Sequence, residues 1–176
     1  MSSPSSRAFC CWAGRQSSAR TLEVGSRNIN GSLRECMTID VGIDMIDGKG
    51  VDEIMDAQAM TFEDAAFGVL VSDNAIEHTP DWRPYLSECW RVLETGGAFA
   101  ITAASPKKGR HGYPNDYWRW RPEHWQKIFQ DQDIDEVYMS PDSIWNGVRG
   151  RKVTDTLRLD VKILTMGRKR ATELEE

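Results

Sequence analysis

Features typical of several protein classes are missing from this 176-residue chain. No uninterrupted apolar stretch approaches the roughly 18 residues that a membrane helix needs, so we expect no membrane partner. Positive charge is not in excess either, because 22 Lys and Arg oppose 27 Asp and Glu, and the net charge of −5 counts against long nucleic acids as partners. With 40% hydrophobic residues, the composition predicts one soluble globular domain.

Cysteine is scarce, and its spacing is typical of neither a metal site nor a disulfide framework. Cys10 and Cys11 are adjacent, whereas Cys36 and Cys89 stand alone, and the sequence contains no C-x-x-C pair. We therefore predict reduced thiols, no bound metal and a cytoplasmic location.

The two ends of the chain differ in composition from the rest. The first 20 residues hold six Ser, three Arg and no acid. This composition predicts a flexible N-terminal tail over 1–20, and an organelle transit peptide is the alternative. Residues 168–176 predict a charged C-terminal tail, so the folded domain is expected to span 21–167.

Strand-like and helix-like segments alternate between these ends. Apolar runs predict strands at 21–25, 37–44, 51–57, 67–72 and 98–103. An apolar stripe at helical spacing predicts a helix over 82–93, and a shorter helix is expected from Pro122. This alternation favours an α/β fold with a single doubly wound, Rossmann-like, mostly parallel sheet. Leu157, Leu159, Val161 and Ile163 alternate with charged residues, which predicts an antiparallel C-terminal edge strand.

Ligands of such sheets bind outside the carboxyl ends of the strands, so the residues that follow each predicted strand are candidates. Gly25 ends the first strand, but Arg27 and Asn30 stand where a dinucleotide-binding G-x-G-x-x-G loop needs glycine, which disfavours an NAD-dependent oxidoreductase. Asp44 has the spacing of an acid that binds ribose hydroxyls. Asp56 either meets an adenine amino group or forms a turn.

Four motifs carry a resemblance to a known family. They are LEVGS at 22–26, VGIDM at 41–45, DAQAMTFEDAAFGVLVSDNAIEH at 56–78 and YLSECWRVLETGGAFAIT at 85–102. The sequence resembles the class I S-adenosylmethionine-dependent methyltransferases, close to their type 11 branch. The resemblance implies a seven-stranded sheet whose last strand is antiparallel, and S-adenosyl-L-methionine as cofactor.

The resemblance also implies cofactor-binding residues. Glu23, Gly25 and Ser26 would line the methionine end, Asp44 would hold the ribose, and the adenine would meet Met45, Asp56 and Ala57. Ser72, Asp73 and Asn74 would lie beneath the sulfonium. Eight acids against one lysine between positions 40 and 64 also suit a cationic ligand.

The sequence departs from the family pattern in its first loop. Arg27 and Ile29 replace the second and third loop glycines, and the short crossover to Met37 leaves room for a helix of only about two turns. Arg27 could pair with the cofactor carboxylate.

Two further groups of residues are candidates for chemistry and specificity. Glu77 and His78 follow the fourth strand, where they could act as a general base or could organise the turn into the next helix. Segment 105–127 interleaves six Lys and Arg with aromatic residues, which either stack on a substrate or close over the pocket and join the core. Its candidate substrate-binding residues are His111, Tyr113, Asp116 and Trp118.

Together these observations predict a metal-free methyltransferase that acts on an unidentified acceptor, most simply a small molecule. Lipid-linked, sugar, protein and nucleic-acid acceptors remain alternatives, and the sequence indicates no oligomeric state. The competing hypothesis is a non-catalytic binding or regulatory domain that keeps the fold with a degenerate glycine loop.

Overall fold

The computed structural model describes residues 4–29, 31–111 and 115–165. The helices are α1 (Pro4–Gly14), α2 (Trp82–Val92) and α3 (Pro122–Ile128), with 3₁₀ turns at Leu33–Glu35 and Ile76–His78. The strands are β1 (Thr21–Val24), β2 (Val41–Asp44), β3 (Glu53–Ile54), β4 (Phe67–Asp73), β5 (Leu93–Ala104), β6 (Trp118–Arg119), β7 (Asp133–Met139), β8 (Trp145–Arg151) and β9 (Leu164–Thr165).

Seven strands form one sheet in the order β3-β2-β1-β4-β5-β8-β7. The first five pair in parallel, and β8 runs antiparallel to both β5 and β7. The sheet order steps outward in both directions from β1 and β4, so their carboxyl ends form the point where the topology switches direction. The predicted α/β, mostly parallel, Rossmann-like fold is confirmed.

The prediction that residues 157–163 form the antiparallel strand is wrong. That segment is irregular, and its apolar side chains pack on the core without a sheet partner, while Arg83 donates to the Leu159 carbonyl oxygen at 3.0 Å. The antiparallel strand is β8, inside the sheet rather than at its edge. Gly147 and Gly150 interrupt the hydrophobic pattern of β8, so the sequence does not indicate a strand there. Glycine is nonetheless required at position 147, because a Cβ would lie 2.6 Å from the Ile101 carbonyl oxygen.

The flexible tail predicted over 1–20 is also contradicted, because residues 4–14 form helix α1. This helix packs on β4, β5 and β8, and Cys10 and Ala13 are fully buried there. Small side chains let the helix approach the sheet closely, and a composition rich in Ser and Arg does not reveal this buried face in the sequence.

A disulfide joins Cys11 to Cys36, whose Cα atoms are 6.1 Å apart. The prediction of reduced thiols is therefore wrong for this pair, whereas Cys10 and Cys89 are free. The predicted C-terminal tail at 168–176 lies outside the described residues.

The two faces of the sheet bury separate apolar clusters. Leu70 of β4 faces the cluster under α2 and α3, whereas Val69 and Val71 face α1, as the alternation of strand side chains requires. Trp120 and Trp125 stack at 4.1 Å between ring centroids and are fully buried, so these aromatic residues of segment 105–127 belong to the core. No helix among the described residues is long and apolar enough to cross a membrane.

Local sequence explains how the main helix is placed. Asp81 caps α2 by accepting from the Arg83 backbone N–H at 3.0 Å, and the apolar stripe from Trp82 onward packs on the sheet. The predicted two-turn helix after β1 is only the 3₁₀ turn Leu33–Glu35, because the crossover from β1 to β2 is short. The carboxyl ends of β1, β2 and β4 are therefore covered by loops rather than by long helices.

Candidate functional site

A cavity of about 480 Å³ opens at the carboxyl ends of β1, β2 and β4. This is where doubly wound sheets bind their ligands, and the volume lies in the range of small-molecule sites. The predicted cofactor residues that line the cavity are Glu23, Gly25, Ser26, Asp44, Met45, Asp56, Ala57, Asp73 and Asn74. Predicted cofactor residues from three of the four motifs thus meet at one site.

The loop after β1 makes the floor of the cavity. Gly25 has φ +81°, and a Cβ there would overlap the Ala75 side chain, so glycine is required twice over. The Gly25 and Ser26 backbone N–H groups both donate to the Ile43 carbonyl oxygen, at 2.9 and 3.0 Å, which fixes the loop against β2. Ser26 Oγ is buried and has no hydrogen-bond partner among the described residues.

Two carboxyl groups lie deep in the cavity, at the ends of adjacent strands. Burial raises the pKa of Glu23 to about 8, against a partly opposing effect of Arg34, and Glu23 Oε2 has no hydrogen-bond partner among the described residues. Burial also raises the pKa of Asp73, whose Oδ1 accepts from Thr102 Oγ1 at 2.7 Å and from Asn74 Nδ2 at 2.8 Å. Asn74 itself adopts φ +53°, an uncommon conformation held by its backbone N–H donating to Thr102 Oγ1.

Asp44 and Asp56 present carboxylates at the ends of β2 and β3. Asp44 Oδ1 accepts from the Ile46 backbone N–H at 2.9 Å, which orients the group, and Oδ2 lies 3.4 Å from the Arg27 backbone nitrogen. Asp56 is exposed and accepts from the Gln58 backbone N–H at 2.8 Å, so it forms the expected turn while its side chain lines the cavity. Arg27 also lines the cavity, with its side chain lying against Gly48.

One predicted cofactor residue does not reach the cavity. Ser72 is fully buried and its hydroxyl lies 2.8 Å from Tyr85 Oη, on the face of the sheet that α2 covers. The Ser72 side chain points to that face, whereas the Asp73 side chain points to the other face and lines the cavity. The predicted position of Ser72 beneath a sulfonium is therefore incorrect.

Of the predicted catalytic and substrate-binding residues, two line the cavity in the described part of the chain. His78 and His111 line the cavity, and their rings meet edge to face at 4.9 Å between centroids. Trp118 does not line it, because its Nε1 donates to the Thr79 carbonyl oxygen at 2.8 Å and its ring packs on the core. Asp116 is buried in an ion pair with Arg119, and Tyr113 lies outside the described residues.

Glu77 lies behind the cavity wall rather than in it. Its side chain is 1% exposed, burial raises its pKa, and neither carboxylate oxygen has a hydrogen-bond partner in the described part of the chain. Oε1 lies 3.9 Å from His111 Nε2, and burial lowers the pKa of His111 to about 4.

Sequence reasoning missed several residues of the wall. They are Ile29, Gly31, Leu33, Ile43, Ile46, Met55, Ala75, Thr79, Pro80, Tyr85, Asn115 and Tyr117. Tyr85 belongs to the apolar stripe of α2, so its spacing indicates core packing only. Tyr117 carries a usable signal, since it lies in the aromatic segment that follows β5.

Part of the chain matches a known protein family. Residues 24–101 match the family described as Methyltransferase domain. No curated protein sequence matches the chain significantly.

Solved structures share the fold at low sequence identity. A 1,6-didemethyltoxoflavin-N1-methyltransferase from Burkholderia thailandensis has a TM-score of 0.66 at 11% identity, over 86% of this chain and 78% of that one. A SAM-dependent methyltransferase from Aquifex aeolicus has a TM-score of 0.58 at 14% identity, over 86% and 95%. The (4+2)-cyclase SpnF has a TM-score of 0.62 at 14% identity, over 84% and 82%. Residues 24–101 thus match a methyltransferase family model, and the chain shares the fold of solved S-adenosylmethionine-dependent methyltransferases.

Proposed function

We propose that this protein binds S-adenosyl-L-methionine in the 480 Å³ cavity and transfers its methyl group to an acceptor, most simply a small molecule. The observation that carries the proposal is the convergence of Glu23, Asp44, Asp56 and Asp73 on this one cavity. Four carboxyl groups around one pocket favour a cationic ligand that also carries hydroxyl and amino donors. S-adenosylmethionine has all three features.

The residues present fit this cofactor. Buried Glu23 Oε2 and Ser26 Oγ are hydrogen-bonding atoms without partners among the described residues, and Gly25 lets a ligand approach the backbone. Glu23 would bind the ammonium of the methionine end, and Asp44, already oriented by the Ile46 N–H, would accept from the ribose hydroxyls. Asp56, Ala57 and Met45 would surround the adenine.

The cofactor supplies a methyl group on a positively charged sulfur, and an acceptor atom in line with the breaking C–S bond takes it. The chain contributes orientation and exclusion of water, which can supply most of the acceleration. Asp73, Asn74, Tyr117 and the two histidines all line the cavity, and we place the acceptor among them. If the acceptor must lose a proton, His78 is the residue of the predicted Glu77–His78 pair that lines the cavity and can receive it.

Calorimetry with S-adenosylhomocysteine tests the binding step. Asp44→Asn should weaken binding by roughly ten- to a hundredfold, about 1.4 to 3 kcal/mol, because it removes a charged acceptor. Asp47→Asn, an exposed acid nearby on the same loop, is the matched control and should leave the affinity unchanged. Equal affinities of wild type and Asp44→Asn would contradict the proposed ribose contact, and no binding by the wild type would overturn the function.

A second candidate function is a non-catalytic binding domain. It is favoured by Arg27 and Ile29, which replace loop glycines, and Ile29 is 60% exposed at the cavity edge. The fold alone does not decide between the two, since a (4+2)-cyclase shares it. Incubation with methyl-labelled cofactor and pooled small-molecule acceptors separates them, because binding without label transfer to any acceptor class favours the non-catalytic function.

A further inference from the structure

A buried carboxylate without partners lies at the edge of the proposed methyl-transfer site. Glu77 follows β4 in the 3₁₀ turn Ile76–His78, and both of its oxygens lack hydrogen bonds within the described part of the chain. Buried carboxylates in proteins are normally paired, protonated or bound to a metal, because desolvation without compensation is costly. The surroundings of Glu77 therefore indicate what compensates it.

Two imidazoles face this carboxylate. His111 Nε2 lies 3.9 Å from Glu77 Oε1, and the His78 ring packs edge to face on His111. One ligand atom from each of the three residues lies within 4.8 Å of the others. No Lys or Arg forms an ion pair with Glu77 among the described residues, and Arg119 acts on it only from a distance.

An oxygen atom lies behind each imidazole, but only His78 is hydrogen-bonded to it in the described part of the chain. His78 Nδ1 is hydrogen-bonded to the Asn115 carbonyl oxygen, and His111 Nδ1 lies 3.3 Å from Asp116 Oδ2. An N–H at His78 Nδ1 leaves its Nε2 lone pair free for a cation, which is the arrangement of metal-binding histidines backed by carbonyl groups.

The carboxylate behind His111 is itself fixed. Asp116 accepts from the His111 backbone N–H at 2.9 Å and pairs with Arg119, whose side chain is only 2% exposed. This pairing with Arg119 keeps Asp116 away from the substrate contact predicted for it. Asp116 instead fixes the backbone of His111 and places a carboxylate beside its imidazole.

We propose that Glu77, His78 and His111 bind a divalent transition-metal cation at the edge of the cavity. One carboxylate and two imidazoles are a common ligand set for such ions, with bonds of about 2.0–2.2 Å, so the side chains must converge by small rotations. His78 and His111 line the cavity, so an open coordination position would face the acceptor. A cation there would bind an acceptor oxygen and lower its pKa, which would take the place of proton transfer to His78 because that imidazole is then a ligand. This role rests on the proposed function, whereas the site itself does not. This proposal replaces the expectation of a metal-free protein.

Cobalt(II) titration of the full, tag-free chain after treatment with chelator tests the site. The expected result is one Co²⁺ per chain, with visible d–d absorption of a low-coordinate site and displacement by Zn²⁺. His78→Ala and His111→Ala should each weaken binding by about a hundredfold or more, and Asp116→Asn by about ten- to a hundredfold. His124→Gln is the matched control, because His124 is the remaining histidine of three and its Nδ1 accepts from the Arg121 N–H at 3.1 Å.

Glu77→Gln distinguishes metal binding from a merely protonated carboxyl group. It should abolish the Co²⁺ spectrum while circular dichroism shows a folded protein. Wild-type protein that binds no Co²⁺ or Zn²⁺, or variants at His78 and His111 that bind as tightly as the wild type, would overturn the proposal. Cofactor binding is measured separately in the presence of EDTA, so a loss of S-adenosylhomocysteine binding with intact Co²⁺ binding counts against the proposed function alone.

Discussion

Glu23 should make the stability of the free protein fall as the pH rises. Its folded-state pKa is raised to about 8 by burial, from 4.5, and Asp73 and Asp52 raise it further while Arg34 opposes them. Below pH 4.5 the carboxyl is protonated in both the folded and unfolded states and contributes no difference. Above it, the unfolded chain releases the proton first, so stability is lost until about pH 8.

The magnitude follows from linkage. Each pH unit in this window costs about 1.4 kcal/mol, so between pH 4.5 and pH 7 the loss is about 3 kcal/mol. Glu23→Gln removes the titration, and the free energy of unfolding of this variant minus that of the wild type should rise by about that amount over the same interval. Taking the difference cancels the titrating groups that do not interact with Glu23.

Urea unfolding at several pH values, without cofactor, measures this difference. Glu63→Gln is the control, because Glu63 is exposed and its variant should follow the wild-type profile. A difference between Glu23→Gln and wild type that stays constant from pH 4.5 to pH 8 would refute the reasoning.

The same carboxyl should couple cofactor binding to pH. A ligand ammonium binds the ionised carboxylate, so S-adenosylhomocysteine should bind more tightly as the pH rises toward 8, by up to about tenfold per pH unit. Glu23→Gln should bind more weakly and lose this dependence. Calorimetry at pH 6 and pH 8 that gives the same ratio of affinities for both proteins would show that Glu23 does not meet the ammonium.

Three further predictions concern the scaffold of the site and are measured by denaturant unfolding. Gly25→Ala should lower the free energy of unfolding by about 2 kcal/mol or more, because its Cβ would overlap Ala75. Gly96→Ala should lower it by only about 1 kcal/mol, because φ +86° strains an alanine there but no atom lies within 4 Å of the added Cβ. Equal losses of stability would contradict the steric argument. Lys152→Met should lower the free energy of unfolding by about 2–3 kcal/mol. Lys152 Nζ donates to the Trp90 and Leu93 carbonyl oxygens at 2.8 and 2.7 Å, and the variant leaves both without this donor. Lys127 is exposed, so Lys127→Met should change the free energy of unfolding by less than about 0.5 kcal/mol. Reduction of Cys11–Cys36, which are 25 residues apart, should lower the free energy of unfolding by about 3 kcal/mol and should have no effect on a Cys11→Ala/Cys36→Ala double variant.

The elements that the sequence predicts well are those whose residues carry one simple pattern. Strand β4 and residues 98–104 of β5 are near-continuous apolar runs because both of their faces are buried, and α2 shows an uninterrupted stripe because only one of its faces is. Strand β8 does not carry such a pattern. Gly147 and Gly150 are required by close backbone approach, and Arg149 pairs with an acid of β7, so none of the three is placed by hydrophobicity. Leu157 to Ile163 shows the opposite error, because an irregular segment lying on a core also alternates.

Only part of the candidate site could be predicted from the sequence. Gly25, Asp44 and Asp73 could be predicted because strand ends in a parallel sheet converge, which depends on topology alone. The cluster of Glu77, His78 and His111 could not be assembled from the sequence, because His111 comes from a loop 33 residues after His78 and nothing in the spacing indicates that it folds back. Alternation along β4 does not by itself separate Ser72 from Asp73, because the successive residues Glu23 and Val24 both line the cavity.

The shortness of the first crossover also explains why the N-terminal segment is part of the folded domain. With only the 3₁₀ turn Leu33–Glu35 between β1 and β2, no full helix from that crossover covers the face of β4 and β5, and α1 packs there instead. The same helix approaches the cofactor end of the site, since Ser6 hydrogen-bonds Asp73 and Arg7 lies against Gly31. Its disulfide from Cys11 to Cys36 joins it to the chain that follows the loop after β1. Residues that look like a dispensable tail therefore support both the sheet and the carboxyl groups on which the proposed cofactor site depends.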